Sequence, residues 1–486
     1  MGSEASSPAH TEGQIDGRPV SFFYKRAAND DEETKLSWAE GYKVYPTSTW
    51  HDIPSKSVLA IAPVHSHTSE TTDYHFLYVE ANPAVEDDTS AAPVVFRSCK
   101  ITNPPAWLVQ DESLPSGNSC WECRQDRSDV LPNFHVVVST GSGTAQAQAV
   151  WEQLVKPMLD YVQRDRGKPD KEYQLHFTTS ESSVADLTRD IILPQANLGV
   201  TQSILLMSGD GGIVDVVNTL LSGMRSSGYK KPNLSILPLG TGNALAHSSG
   251  ITADNTLGLK SWFKGEPKEL PLFAASFSPG ARALFDEARQ ERELHKINGV
   301  PTAHGAVVCS WGLHAGLVAD SDTVRYRKYG AERFQMAAKE ALFPSDGSPP
   351  HIYQGNVSVQ RPGQNGWQTI REGEHAYVLA TLVSQLEKGF TISPATKPLD
   401  AKLRLVHFGP MSGEGAMDVM TKAYQGGQHV EDESVGYEMI EALRIDFTES
   451  DARWRRVCID GKIIRVEKGG FVEVRLGQKG VVDLIA

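Results

Sequence analysis

Between residues 133 and 270, short continuously apolar runs alternate with longer stretches of helical periodicity. FHVVVS (134–139) ends in a glycine turn and is followed by Ala149, Leu154, Met158 and Val162 at roughly helical spacing. YQLHFTT, SILLM and LSILPL repeat the scheme, each leading through small polar residues into a helix-like segment. A strand that is apolar at every position has both faces covered, so the pattern predicts a parallel, doubly wound α/β lobe. From 271 to 486 the strands lengthen and alternate, as in HAYVLATLVS, AKLRLVHF, YEMIEALRIDF and FVEVRLG. This stretch reads as an antiparallel, sandwich-like β lobe with a helix from about Gly330 to Leu342. Ahead of both, SVLAIAPV, YHFLYVEA and VVFRSC are β-branched and aromatic, and they predict a small, mainly β module over 36–125. Residues 1–35 are polar and read as a disordered tail. A Pro/Ser/Gly/Asp-rich linker runs from about Gln110 to Pro132.

Composition narrows the partners more than the fold. The chain has 486 residues, long enough for two or three cores, and a net charge of −13. No global positive field draws it to nucleic acid. Five cysteines and no basic-then-apolar leader indicate a reducing, cytoplasmic setting. Cys120 and Cys123 have metal-like spacing, but no second pair completes a zinc site. His65, His67 and His75 fall in a polar stretch and read as solvated loop or edge-strand residues. No apolar run reaches the ~18 residues of a membrane span, so any membrane contact is expected to be peripheral.

The chemistry gathers at three glycine-bearing turns that follow strands: STGSGTA (139–145), SGDGG (208–212) and LGTGNALA (239–246). In a parallel sheet the strand C-termini share one edge, so turns distant in sequence can meet on one ligand. Behind SGDGG, IVDVVNTLL has helix periodicity, which aims the loop's N–H groups and the helix's positive end at an anion. Neither the Walker pattern nor GxGxxG fits these loops. Asp210, within the glycine turn, is repelled by a polyphosphate unless it holds Mg²⁺ or takes a proton from an attacking hydroxyl. Phosphoryl transfer to an alcohol requires both tasks.

SGDGG-x-x-[acid]-VVN and PLGTGNALA resemble the two nucleotide loops of lipid kinases with a diacylglycerol-kinase-type catalytic domain, in the sphingosine kinase and ceramide kinase branch. SWGLHAGLVADSDTVRYRKYGAERF (310–334) is similar to that branch's segment for substrate and triphosphate, and SPATKPLDAKLRLV and CIDGKIIR to its late β motifs. The resemblance covers roughly 133–486 and, more faintly, a pleckstrin-homology-like module at 40–130. It implies an ATP- and Mg²⁺-dependent kinase acting on the primary hydroxyl of a sphingoid base, with ceramide or diacylglycerol as alternatives. It implies Asp210 as proton acceptor with Ser208 beside the substrate. ATP contacts are implied at Ser139, Thr140, Gly141, Thr179, Gly211, Asp215, Gly240, Thr241, Gly242, Asn243, Arg327, Arg333, Asp460 and Gly461. Asp320 matches an acid that binds the polar head of the lipid; Asp320 and Asp322 also read as turn or helix caps. Ser139-Thr140 stands where the family has Asn-Pro, Val184 where a histidine is common, Asp215 in place of a glutamate, and Lys462 in place of an acid. These departures keep open a pseudokinase that binds without turnover; an NAD kinase shares the GDG-type loop, but the β-rich second half argues for lipid.

Overall fold

The structure, a computed structural model, describes residues 11–25, 35–42, 48–63, 73–86, 88, 90–104, 133–143, 145–165, 173–323, 326, 329, 332–371, 373–477 and 480–486. The linker at 110–132, with Cys120 and Cys123, lies outside these residues, as do His65, His67 and Arg327.

The α/β lobe is a six-stranded sheet ordered Pro267–Glu269, Asp483–Ile485, Asn233–Pro238, Ser203–Ser208, Phe134–Val138, Gln174–Phe177. All neighbours run parallel except the first pair. Each central strand is mostly apolar and largely buried, with His135, Ser208 and Ser235 buried among the apolar positions, because it feeds two cores. Val137, Leu206 and Ile236 pack on one side with Ile213, Val217 and Leu220 of the helix Asp210–Ser222. Val136, Val138, Leu205 and Met207 pack on the other with Leu154, Met158 and Phe263. Phe134–Val138 is flanked by Gln174–Phe177 on one side and Ser203–Ser208 on the other. Strand order therefore reverses between Phe134–Val138 and Ser203–Ser208, where a doubly wound sheet opens a ligand crevice at its carboxyl edge.

The chain's last strand, Asp483–Ile485, lies in this first sheet and pairs with Asn233 and Leu234, so the C-terminus returns to the α/β lobe from the region assigned to the β lobe. Three residues carry no readable periodicity, and their pairing is a tertiary event.

From Phe273 to Leu476, two antiparallel sheets share one core. One sheet supplies Phe273, Val357, Leu443 and Val472; the other supplies Trp311, Val378, Leu405 and Val457. The helix expected near 330–342 spans Glu332–Leu342. Two further helices, Leu313–Ser321 and Gly413–Tyr424, flank it and were not expected. Ser412 caps the second by accepting from the Gly415 N–H at 3.1 Å, and Ala416, Val419 and Ala423 form its buried stripe. That signal was present in the sequence.

The N-terminal module is a seven-stranded antiparallel sheet, and it begins earlier than expected. Within the expected disordered tail, Thr11–Ile15 and Arg18–Lys25 form a hairpin around Asp16 and Gly17, both at positive φ. Asp-Gly suits such a two-residue turn, and Val20 and Phe22 are buried in the module's core, so average polarity concealed a short alternating strand. His75 is likewise not solvated. It lies on the internal strand Asp73–Ala81, with Nδ1 2.5 Å from the Tyr161 hydroxyl of the first lobe.

His135, fully buried on Phe134–Val138, has its pKa pushed down by burial to about 4. The folded chain refuses a proton that the unfolded chain accepts below about pH 6.5. Stability from this group is therefore complete above that value and lost as pH falls toward 4, at a slope of up to about 1.4 kcal/mol per pH unit. Denaturant midpoints at pH 7 and pH 5 should fall with acidity, and His135→Gln should flatten the slope; an unchanged slope places the titration elsewhere.

Candidate active site

Three glycine turns meet at the point of strand reversal, and backbone contact brings them together. A Cβ on Gly209 would lie 2.7 Å from the Gly240 Cα, and one on Gly240 2.4 Å from the Gly209 Cα. Gly143, at φ +53, would direct a Cβ to 2.3 Å from the Leu239 carbonyl oxygen. A side chain at any of the three pushes on rigid backbone, so these glycines exist to let the loops touch. The first turn is fastened further. The Thr140 N–H donates to the Thr178 hydroxyl at 3.0 Å, the Thr140 hydroxyl to the Thr178 carbonyl at 2.8 Å, and the Gly209 N–H to Ser142 Oγ at 3.1 Å. Ser139-Thr140 thus shapes this turn with its own hydrogen bonds. Gly143, Gly209, Ser142 and Thr178 were not among the expected site residues; a packing glycine cannot be told from a ligand-facing one by sequence.

The loops line a cavity of about 1240 Å³, above the roughly 300–1,000 Å³ usual for a single small-molecule site. Ser139, Thr140, Gly141, Thr179, Ser208, Asp210, Gly211, Asp215, Gly240, Thr241, Gly242, Arg333, Asp460 and Gly461 all lie on its wall. The same cavity is also lined by an apolar set, Leu313, Leu317, Phe334, Leu342, Phe390 and Met420. Its walls are the helices Leu313–Ser321, Glu332–Leu342 and Gly413–Tyr424, together with the hairpin of Gln385–Glu387 and Phe390–Thr391. Ser248 fastens that hairpin over the third glycine loop by accepting from the Gln385 N–H at 2.9 Å.

Asp210 occupies the first turn of the helix Asp210–Ser222 and is half-buried on the cavity wall. Its carboxylate accepts from the Ala244 N–H at 2.7 Å and the Leu245 N–H at 3.1 Å. Burial raises its pKa, and the two N–H groups pull against that rise without cancelling it. A carboxylate held in place with elevated basicity is suited to accepting a proton. The carboxylate in a phosphate-type turn therefore has two backbone donors to fix it and an oily chamber on the same cavity wall.

Two of the expected ATP contacts also hold backbone in place. Asn243, at φ +54, is absent from the cavity wall and closes its own turn: Oδ1 accepts from the Gly240 N–H and Nδ2 donates to the Gly240 carbonyl, each at 2.8 Å. The Asp460 carboxylate accepts from the N–H groups of Ala306 and Val308 at 2.6 Å and of Val307 at 3.1 Å. Asp460-Gly461, both at positive φ, form the tight turn between Arg456–Ile459 and Lys462–Arg465. Burial pushes Asp460 up to about 7 against the pull of those N–H groups, and the charge of Asp210 adds to the rise.

Asp320 lies off the cavity wall. It pairs with Arg453 at 3.1 Å and Arg456 at 2.9 Å and does not line the cavity. Asp322, two residues on, does line it and pairs with Arg333 at 3.3 Å. The helix Leu313–Ser321 ends between the two acids, so they leave it in different directions. Lys462, which replaces an acid in the family pattern, lies 3.2 Å from Asp215 on the same wall. Burial raises the Asp215 pKa, and the lysine charge opposes that rise.

Residues 133–275 match the family described as Diacylglycerol kinase catalytic domain. Over 338 residues the chain is 22% identical to Sphingosine kinase 1 of Homo sapiens, covering 64% of this chain and 81% of that protein. It is 23% identical over 205 residues to Sphingosine kinase 1 of Arabidopsis thaliana, covering 41% of this chain and 35% of that protein. A solved structure of a diacylglycerol kinase from Bacillus anthracis str. Sterne covers 73% of this chain and 96% of its own, with a TM-score of 0.42 and 13% identity.

Proposed function

We propose that this chain, which carries a diacylglycerol-kinase-type catalytic domain and is similar to sphingosine kinases, transfers the γ-phosphoryl group of ATP to the primary hydroxyl of a sphingoid base. The observation that carries the reading is the position of Asp210, on the wall of one cavity that both the three glycine turns and an apolar set of side chains line. The loop N–H groups and Arg333 neutralise the triphosphate, and Asp210 takes the proton from the lipid hydroxyl as it attacks phosphorus. The chain of the lipid lies in the apolar half, where each buried methylene contributes about 0.8 kcal/mol. Asp322 replaces Asp320 as the wall acid nearest in sequence to the expected one, and it offers a carboxylate to a cationic amine.

Mg²⁺ fits as an ion carried mainly by phosphate oxygens. Among the described residues no group of three or more His, Cys, Asp or Glu is placed to hold a metal, and magnesium in phosphoryl-transfer sites usually takes one or two carboxylates besides phosphate and water. Asp215, on the cavity wall, is the carboxylate that would hold it, and the ion would offset charge on the transferring group.

The test is incubation with labelled ATP and a panel of sphingosine, phytosphingosine, ceramide and diacylglycerol, with mass spectrometric identification of products. A phosphorylated sphingoid base is expected; absence of product from every lipid, where a control kinase works, removes the reading. The Lys462–Asp215 pair favours a second one, a nucleotide-binding pseudokinase, which predicts ATP binding by calorimetry with no consumption.

Arg333→Ala should raise the Michaelis constant for ATP about 10-fold, since a charged hydrogen bond contributes about 1.5–3 kcal/mol in binding. A steady-state ATP titration checks this, and an unchanged constant removes Arg333 from the triphosphate.

A further inference from the structure

Two polar side chains stand on the cavity wall with no part in the phosphate end. Tyr377, on the strand Tyr377–Thr381, is 1% exposed, and its hydroxyl meets no hydrogen-bond partner among the described residues. The ring is fixed by stacking on Phe408, centroids 4.9 Å apart and planes 10° apart. Burial pushes the phenol's pKa far up, so the hydroxyl keeps its proton and remains a donor. Folded proteins rarely leave such a group unpaired, and an exception calls for a ligand. Beside it, His314 presents its ring at 6.2 Å and 75° to that of Tyr377. His314 Nδ1 lies 2.7 Å from Ser310 Oγ, and burial pushes the imidazole down to about 4, so it is neutral. The rest of this chamber, at Leu313, Leu317, Phe390 and Met420, is apolar.

We propose that the Tyr377 hydroxyl, with His314 beside it, binds the C4 hydroxyl of the lipid chain, one beyond the C1 and C3 hydroxyls that every sphingoid base carries, and so selects a C4-hydroxylated long-chain base over the same chain without that group. The inference rests on the lipid kinase reading. A neutral phenol and a neutral imidazole offer donors and acceptors but no charge, which suits a hydroxyl; the cationic amine has Asp322 instead. Moving a lipid hydroxyl into an apolar chamber is costly unless it is paired. A lipid lacking it leaves Tyr377 unpaired as well, and sites built to bond a hydroxyl reject such analogues far more strongly than hydrophobic pockets sort by size.

The experiment compares phytosphingosine with sphinganine, which keeps the C1 and C3 hydroxyls and lacks only the one at C4, on the native chain and on Tyr377→Phe. Two readouts are taken: the thermal shift caused by each lipid without ATP, and kcat/KM for each with ATP. The native chain should favour the hydroxylated base by at least about 10-fold in kcat/KM, with a larger thermal shift, and Tyr377→Phe should bring both ratios close to one. Without lipid, Tyr377→Phe should melt at or above the native temperature, because it removes an unpaired buried hydroxyl. Equal ratios in native and variant chains overturn the proposal, as does a thermal shift from neither lipid. Selective binding without product supports the hydroxyl site and sinks the kinase reading; product formed equally from both bases does the reverse.

Discussion

Asp210→Asn is expected to lower turnover by at least about 100-fold, the scale of losing a general base, while leaving the fold in place. The amide is isosteric with the carboxylate, and its oxygen can still accept one of the two N–H groups, from Ala244 or Leu245, that the native side chain holds. Its NH₂ faces the other donor, which costs about 1 kcal/mol, a melting shift of a few degrees at most. The chemical loss is far larger, because an amide has no appreciable affinity for the proton of an attacking alcohol. Single-turnover phosphorylation alongside a thermal melt separates the two effects. Normal turnover removes Asp210 from the chemistry, and a collapsed melt shows that the loss is one of folding. The native enzyme should also lose rate as pH falls through the elevated pKa of Asp210, because a protonated carboxyl cannot accept.

Gly209→Ala and Gly240→Ala should each cost stability and ATP affinity together. The added methyl meets the α-carbon of the opposite loop at 2.7 Å or 2.4 Å, distances that demand movement of backbone rather than of a flexible tip. Overpacking of this kind costs about 1–3 kcal/mol, and the strain appears where the two phosphate loops are held in register. The Michaelis constant for ATP is expected to rise at least about 10-fold, with a melting temperature several degrees lower. Gly211→Ala is the internal control: nothing lies within 4 Å of its added Cβ, so its melt should match the native chain. ATP titrations and melts of all three variants settle it. Native-like melting of Gly209→Ala removes the backbone contact as the reason for glycine there.

Legibility followed the range of the interaction. Phe134–Val138 and Ser203–Ser208 were readable because strands covered on both faces are apolar at most positions, and SGDGG was readable because acid and glycine are local chemistry. The hairpin Thr11–Lys25 escaped because five alternating residues vanish in an average over a polar segment, although its Asp16-Gly17 turn was in view. The helix Gly413–Tyr424 had both a cap and a stripe and was overlooked beneath the surrounding strand pattern. Asp320 and Asp322 look interchangeable in ADSDT. The partners Arg453 and Arg456 that engage Asp320 come from a hairpin more than a hundred residues away.

The sequence by itself determined the α/β lobe, the turns that edge its sheet, and the placing of an acid in the middle one, since each depends on residues within about a dozen positions of one another. Tertiary structure alone decided that Gly209 and Gly240 touch, that the C-terminal strand closes the first sheet, that Asn243 and Asp460 brace backbone, that Lys462 pairs with Asp215, and that Asp322 rather than Asp320 meets the cavity. Each of these is a contact across loops or lobes, and periodicity along one chain records which face of an element is covered but not what covers it.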